Sequence, residues 1–195
     1  MKTLFLLPIL LLSLISCSSE TEIIDLTEIN LDELVERGGV YYEKFSDIPF
    51  TGKVSGIKQG EMKNGKREGK WFEYYWTNGQ LYEKGSYKNG KKEGEWVRYY
   101  ENGSLSRKEN YRNGLQEGER VGYHENGRLF SKGSYKNGKR EGAWVYYFSN
   151  GQLSQKGIAK NGKKEGEWIA YHDNGTVKEE WAGTFKNGEK VSEKK

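Results

Sequence analysis

Cysteine occurs once in these 195 residues, and proline, histidine and methionine twice each. A single cysteine excludes any disulfide within the chain, so no covalent staple holds the fold. Only 34% of the residues are hydrophobic, and 14% of the chain is Tyr, Trp and Phe. That leaves too little Leu, Ile and Val for a thick α/β domain, while a disordered chain would hold few aromatics. Glycine, by contrast, stands at 26. Together these point to a thin all-β structure with many turns and little two-sided core. The net charge is +4, with a negative excess over 17–60 and a positive one over 61–195. A basic array of this kind is suited to an anionic surface, either phosphate headgroups or acidic glycans. A solvated repeat surface explains the same charge.

Long apolar runs are confined to the start. Lys2 precedes Leu4–Ile15, which is shorter than the roughly 18–20 residues that span a bilayer. It ends at Leu14-Ile15-Ser16-Cys17, which resembles a bacterial lipobox. That resemblance implies cleavage before Cys17 and a diacylglycerol thioether on its sulfur, usually joined by a third acyl chain. The partner at this end is then the lipid bilayer, and the location the bacterial cell envelope. Ser18 resembles the signal for the outer membrane in cells with two membranes. The expected organisation is a signal peptide at 1–16, a lipidated tether at 17–30, a neck at 31–60 and a repeat array at 61–195.

In the neck, Asn30 precedes Leu31–Arg37, and Gly38-Gly39 follows. An Asn N-cap, an acid three residues on and glycine past the last turn predict one short helix. Val40–Lys44 and Phe50–Val54 then read as strands that cap the first edge of the sheet, with a turn at Ser46–Pro49.

The dominant feature is a repeat. Asn-Gly recurs at Asn64, Asn78, Asn89, Asn102, Asn113, Asn126, Asn137, Asn150, Asn161, Asn174 and Asn187, so alternate dipeptides return about every 24 residues. Asn-Gly favours the type I′ hairpin turn, which needs positive φ at both positions. The expectation is a two-residue turn at each site and an elongated single-layer antiparallel meander. In the clearest unit, that register puts Gly85 opposite Gly94 and Tyr100 opposite Leu105. Trp96, Tyr100, Leu105 and Tyr111 then share one face, with Val97 and Tyr99 on the other. Opposed glycines leave a notch for the Trp two residues on, at Gly69/Trp71, Gly94/Trp96, Gly142/Trp144 and Gly166/Trp168. The third unit departs, with Arg120 for Trp and Glu109 for the partner glycine, and an irregularity is expected there.

The unit G-x-W-x-x-Y-x-x-N-G-x-L-x-x-x-G-x-Y-x-N-G resembles the MORN (membrane occupation and recognition nexus) repeat in its bacterial variant form. The matching positions include Trp71, Tyr74, Leu81, Gly85 and Tyr87, then Trp96, Tyr99, Leu105 and Tyr111. The last unit departs through extra residues around Glu179-Glu180 and Thr176-Val177 in place of x-Leu. The resemblance implies one long twisted antiparallel sheet and a role in protein or lipid contact. The variant form is often described as antitoxin-like.

Little here points to chemistry. His124 and His172 fill a slot that holds Tyr75, Tyr100 and Phe148 in other units, so a planar ring explains them. They are expected roughly 19 Å apart, too far to share one metal. Glu68, Glu93, Glu117, Glu141 and Glu165 recur in every unit beside Lys or Arg, as a cross-strand charge ladder would. A catalytic acid would occur once, in distinct surroundings. Neither enzyme activity, a cofactor nor a metal is expected. The expected function is a membrane-anchored, non-catalytic scaffold that binds an envelope protein or surface polymer and no nucleic acid. The candidate binding residues are Trp71, Tyr75, Trp96, Tyr100, Trp144, Phe148, Trp168 and His172, since a repeating ring surface can stack on sugars or seat a partner. The rival functions are an antitoxin or immunity protein and a cell-wall glycan binder.

Overall fold

The computed structural model describes residues 28–192. The signal peptide expected at 1–16, and Cys17 with most of the tether expected at 17–30, lie outside the described residues. Strands β4 (Gly52–Ser55), β5 (Lys58–Lys63), β6 (Lys66–Tyr74), β7 (Leu81–Lys88), β8 (Lys91–Tyr99), β9 (Leu105–Arg112) and β10 (Leu115–Tyr123) follow one another across the sheet. The same order continues through β11 (Leu129–Lys136), β12 (Lys139–Tyr147), β13 (Leu153–Lys160), β14 (Lys163–Ala170), β15 (Gly183–Lys186) and β16 (Glu189–Ser192). All these pairs are antiparallel, so the array is an open meander about 60 Å long at ordinary strand spacing.

Its turns are of two main kinds, which corrects the expectation of one; the loop at Asn78 is a one-residue-longer form of the second. Asn64, Asn89, Asn113, Asn137, Asn161 and Asn187 have φ between 50° and 53° and are each followed by a left-handed glycine, so these are two-residue I′ turns. At the alternate sites only the glycine is left-handed, as at Gly103 (φ 81°). There the Tyr100 N–H donates to Ser104 O and the Gly103 N–H to Tyr100 O, each at 2.9 Å, closing a three-residue loop. The asparagine instead serves as a local acceptor: Asn102 Oδ1 takes the Ser104 N–H at 2.8 Å, and Asn126, Asn150 and Asn174 repeat this. The extra loop residue shifts the register by one. Leu105 lies opposite Tyr99 rather than Tyr100, which takes it off the tryptophan face.

A second correction concerns the glycines. Gly94 does not face Gly85, because Ser86 pairs with Glu93 and Lys84 with Val97, leaving a bulge whose glycine has φ 70°. The notch nevertheless exists. A Cβ on Gly85 would stand 2.2 Å from the Trp96 ring; Gly133 under Trp144 and Gly157 under Trp168 give the same distance, and Gly60 under Trp71 gives 2.5 Å. Each indole therefore lies on the bare backbone of the preceding strand. Trp71, Trp96 and Trp168 also donate their indole N–H to a carbonyl of that strand, at 3.1, 3.2 and 2.7 Å. Tyr87 packs edge-on against Trp71 and Trp96, and Tyr135 against Trp144. Arg67, Lys92, Arg140 and Lys164 lie over the indoles within 5 Å. A one-layer sheet thereby builds a core on one face, with the four tryptophans only 1–4% exposed.

In the third unit an ion pair stands where others have an indole on glycine. Glu109, 2% exposed, accepts from Gln116 at 2.7 Å and from the Tyr111 hydroxyl at 3.0 Å. Arg107 lies 3.0 Å and Arg120 3.7 Å from its carboxylate. Next to it, Glu83 is held by Lys92 at 2.9 Å and Arg98 at 2.7 Å. Two apolar clusters result, one around Trp71 and one around Trp144 and Trp168, with this polar seam between them.

The neck differs from its expected form. Leu31–Glu33 is a single 3-10 turn and Leu34–Arg37 is strand β2, paired with β3 (Val40–Glu43). Asn30 makes no capping bond to the backbone; its side chain goes to Glu33. Gly38-Gly39, with φ 61° and 79°, is a hairpin turn rather than the end of a helix. The capping role is present. β1 (Glu28–Asn30) adds a parallel strand beside β4, and Leu34, Phe50 and Tyr41 pack with Trp71. After a single Tyr171–Val177 bridge the extra residues form a turn, and β14 meets β15 only from Gly183.

The glutamate column is not a charge ladder. Glu68, Glu93, Glu117, Glu141 and Glu165 each accept the N–H of the next unit's turn asparagine at 2.8–2.9 Å. At the first turn Thr51 Oγ1 takes this place for Asn64. Glu141→Ala is therefore expected to cost about 1 kcal/mol in urea unfolding and to speed amide exchange at Asn161. Glu141→Gln, which keeps an acceptor, is expected to lose less than half as much. Equal losses for Ala and Gln would instead mark the charge as the contributor.

Candidate binding surfaces

Two faces and two edges are available. On the tryptophan face, Trp71, Trp96, Trp144 and Trp168 are core residues, covered by tyrosines and cations. Direct stacking of a ligand on them would require that cover to move. The ring slot lies at the three-residue-loop edge and joins units. The Tyr75 hydroxyl donates to Tyr99 O at 3.0 Å, the Tyr100 hydroxyl to Tyr123 O at 2.7 Å, and His124 Nε2 lies 2.9 Å from Tyr147 O. Phe148 is half-buried in the same slot, and His172 is exposed. Nothing brings His124 and His172 together, and the described residues contain no group of three or more His, Cys, Asp or Glu placed to hold a metal.

The opposite face carries a row that sequence reasoning missed. Directly paired residues run Phe72–Lys84–Val97–Lys108–Val121–Lys132–Val145–Lys156–Ile169 across nine strands. Directly opposed residues share a face, so this is a stripe of alternating apolar and cationic groups. The lysines recur every two strands, about 9.6 Å. Their stems flank the apolar positions, and Val97 is only 6% exposed. Toward the C-terminal half the stripe borders a shallow groove of about 590 Å³, lined by Ala143, Val145, Ile158 and Ile169 with Lys132 and Lys156 beside them. Glu119 bonds Lys132 at 2.8 Å and raises its pKa.

The I′-turn edge is basic. Lys63/Lys66, Lys88/Lys91, Lys136/Lys139 and Lys160/Lys163 flank four of its six turns as directly opposed, exposed pairs. At the three-residue-loop edge, Glu101, Glu125 and Asp173 are exposed instead. Among the buried groups, desolvation opposes ionisation of Glu83, but Lys92 and Arg98 outweigh it and hold its pKa below the usual value. Burial, joined by Glu109, pushes the Tyr111 hydroxyl strongly up. Both groups serve the seam rather than a reaction centre.

This repeating geometry has a counterpart in a known sequence family. The model of the MORN repeat variant matches residues 67–89, 92–113, 116–137, 140–161 and 164–187, more than half of the chain. The chain belongs to the MORN repeat variant family. Each MORN match begins one or two residues after an I′ turn and ends at or next to the following one, so one match corresponds to one 24-residue unit. MORN repeats generally act as binding or scaffold modules and are generally non-catalytic. Comparison with curated proteins finds no match. Among solved structures, a chain of the GtfA/B complex bound to UDP and GlcNAc is similar at 16% identity, with a TM-score of 0.23. The match covers 69% of the present chain and 24% of that one, and at this score it carries no argument about function. Among the described residues no helix is long and apolar enough to cross a membrane.

Proposed function

We propose that this protein is a lipid-anchored, non-catalytic binding scaffold of the bacterial envelope. It is tethered through Cys17, in the outer membrane where the cell has two. The observation that supports this reading most is the Phe72–Ile169 row. Across five units it repeats one apolar group and one ammonium at fixed spacing, while the carboxylates of the seam and the glutamate column are committed to structural bonds. A surface so uniform suits an extended partner, an envelope protein or a polymer, better than a single small molecule. The glycan form of this reading gains support from the lysine-paired edge.

Two measurements test the proposal. Cells fed labelled palmitate are expected to label the wild-type chain in the membrane fraction and to leave Cys17→Ala unlabelled; equal labelling of both would remove the anchor. A photo-crosslinking residue at Val145 in intact cells is expected to capture a discrete partner, and the same probe at exposed Phe45 is not. Identical patterns from the two positions would count against a binding face. Capture of a toxin would move the function to immunity.

A further inference from the structure

Resting on the scaffold reading, the structure assigns the I′-turn edge as the seat of a linear acidic polysaccharide with about one charge per disaccharide. The first observation is a local rule broken repeatedly. Like charges directly opposite on paired strands destabilise a sheet, yet Lys88 faces Lys91, Lys136 faces Lys139 and Lys160 faces Lys163. The last turn shows the arrangement that stability alone favours, with Lys186 opposite Glu189. A conflict repeated along one edge, where each turn sets a single backbone-bonded glutamate against two lysines, is the pattern expected of a binding site.

The second observation is preorganisation. Three of these lysines lay their stems along the next turn: Lys66 comes within 3.6 Å of the Cβ position of Gly90, Lys91 within 3.5 Å of that of Gly114 and Lys163 within 3.5 Å of that of Gly188, while Lys139 reaches Gly162 only through its Cβ at 3.8 Å. The ammonium groups are thereby presented in step with the strands, two strands apart at about 9.6 Å, except at the Asn113 turn, where Leu115 takes the lysine position and the step doubles. Between them the exposed asparagines of the turns offer amide donors and acceptors to hydroxyl groups. An extended polysaccharide with one acid on every second sugar advances by a similar length per charge and is rich in hydroxyls.

Other polyanions fit less well. Phosphates along a nucleic acid lie far closer together than these turns, and the pairs flanking the turns are interleaved with no exposed ring on which a base could stack. A sheet twists by roughly 20° per strand, so its edge winds about the long axis. A flat bilayer would meet only a turn or two of such an edge, while a flexible chain can follow it. Lysines rather than arginines also suit dispersed single charges over bidentate phosphate capture.

The test uses the full-length protein in detergent and hyaluronate, which has one carboxylate per disaccharide, as the probe. One variant reverses four edge lysines, Lys88→Glu, Lys91→Glu, Lys136→Glu and Lys139→Glu. A control reverses four exposed cations that lie on neither the turn edge nor the sheet-face row, Lys44→Glu, Lys53→Glu, Lys70→Glu and Arg128→Glu, and so carries the same net charge. Circular dichroism checks that both keep wild-type strand content. Hyaluronate is expected to bind wild type in low salt, the edge variant at least tenfold more weakly, and the control within threefold of wild type. Equal weakening of both variants, absence of hyaluronate binding, or tighter binding of single-stranded DNA or anionic vesicles would overturn the assignment. None of these outcomes touches the crosslinking at Val145, so the two proposals fail separately.

Discussion

Arg120→Trp alone is expected to destabilise the protein by about 3–5 kcal/mol, and Glu109→Gly added to it to recover most of that loss. In four units an indole lies on the glycine of the preceding strand; in the third, Arg120 stands in the indole's place and Glu109 in the glycine's. The single change puts an indole against the Glu109 side chain and takes away one of that carboxylate's cationic neighbours, while the carboxylate is 2% exposed. A buried charge robbed of a partner is among the few lesions of this size. Glu109→Gly alone is expected to cost about 2 kcal/mol, because the Tyr111 hydroxyl and Gln116 lose their acceptor. The double variant restores the regular unit, and apolar replacement of a buried ion pair is often neutral or stabilising. Urea unfolding of the four proteins measures the coupling, expected to be at least 2 kcal/mol. Additivity within 0.5 kcal/mol would mean that the two positions do not exchange as a unit.

That exchange was legible in the sequence, because both departures fall in one unit at positions the other units define. Their mutual contact was not legible, since it depends on which strand each indole leans over. The meander itself followed from the spacing of Asn-Gly alone, as the family match bears out. The turn types did not follow, because the same dipeptide closes a two-residue turn at Asn89 and lends a side-chain acceptor at Asn102. What separates them lies in the flanks: a Lys or Arg directly before the asparagine at one, an aromatic or histidine ring two residues before it at the other. The helix expected at Leu31–Arg37 failed for a related reason. Gly38-Gly39 serves a helix end and a hairpin equally well, and Leu34 reaches the Trp71 cluster from a strand. Of the candidate site, the rings were visible and their burial was not. The lysine row on the opposite face was hidden because its members are adjacent only across strands. Its register passes through two bulges per unit, and one residue of error would scatter it between faces.

Gly133→Ala is expected to cost about 3 kcal/mol, although alanine in a strand ordinarily improves on glycine by roughly 0.5–1 kcal/mol. The backbone of Gly133 is not left-handed, so the conformation itself admits a side chain. The obstacle is the Trp144 ring, whose Cδ2 lies 2.2 Å from the position the new Cβ would take. The ring cannot withdraw, since Trp144 is 1% exposed with Tyr135 against its edge and Arg140 over its face. Gly142→Ala provides the contrast. Nothing lies within 4 Å of its Cβ position, but φ is +76°, so only the backbone penalty of about 1–2 kcal/mol applies. In the Trp144→Ala background, itself about 3–5 kcal/mol less stable, Gly133→Ala is expected to become neutral or mildly stabilising, while Gly142→Ala keeps its full cost. A Gly133→Ala protein as stable as wild type would mean that the indole does not rest on bare backbone. The core of this one-layer sheet would then have to come from somewhere other than its tryptophan face.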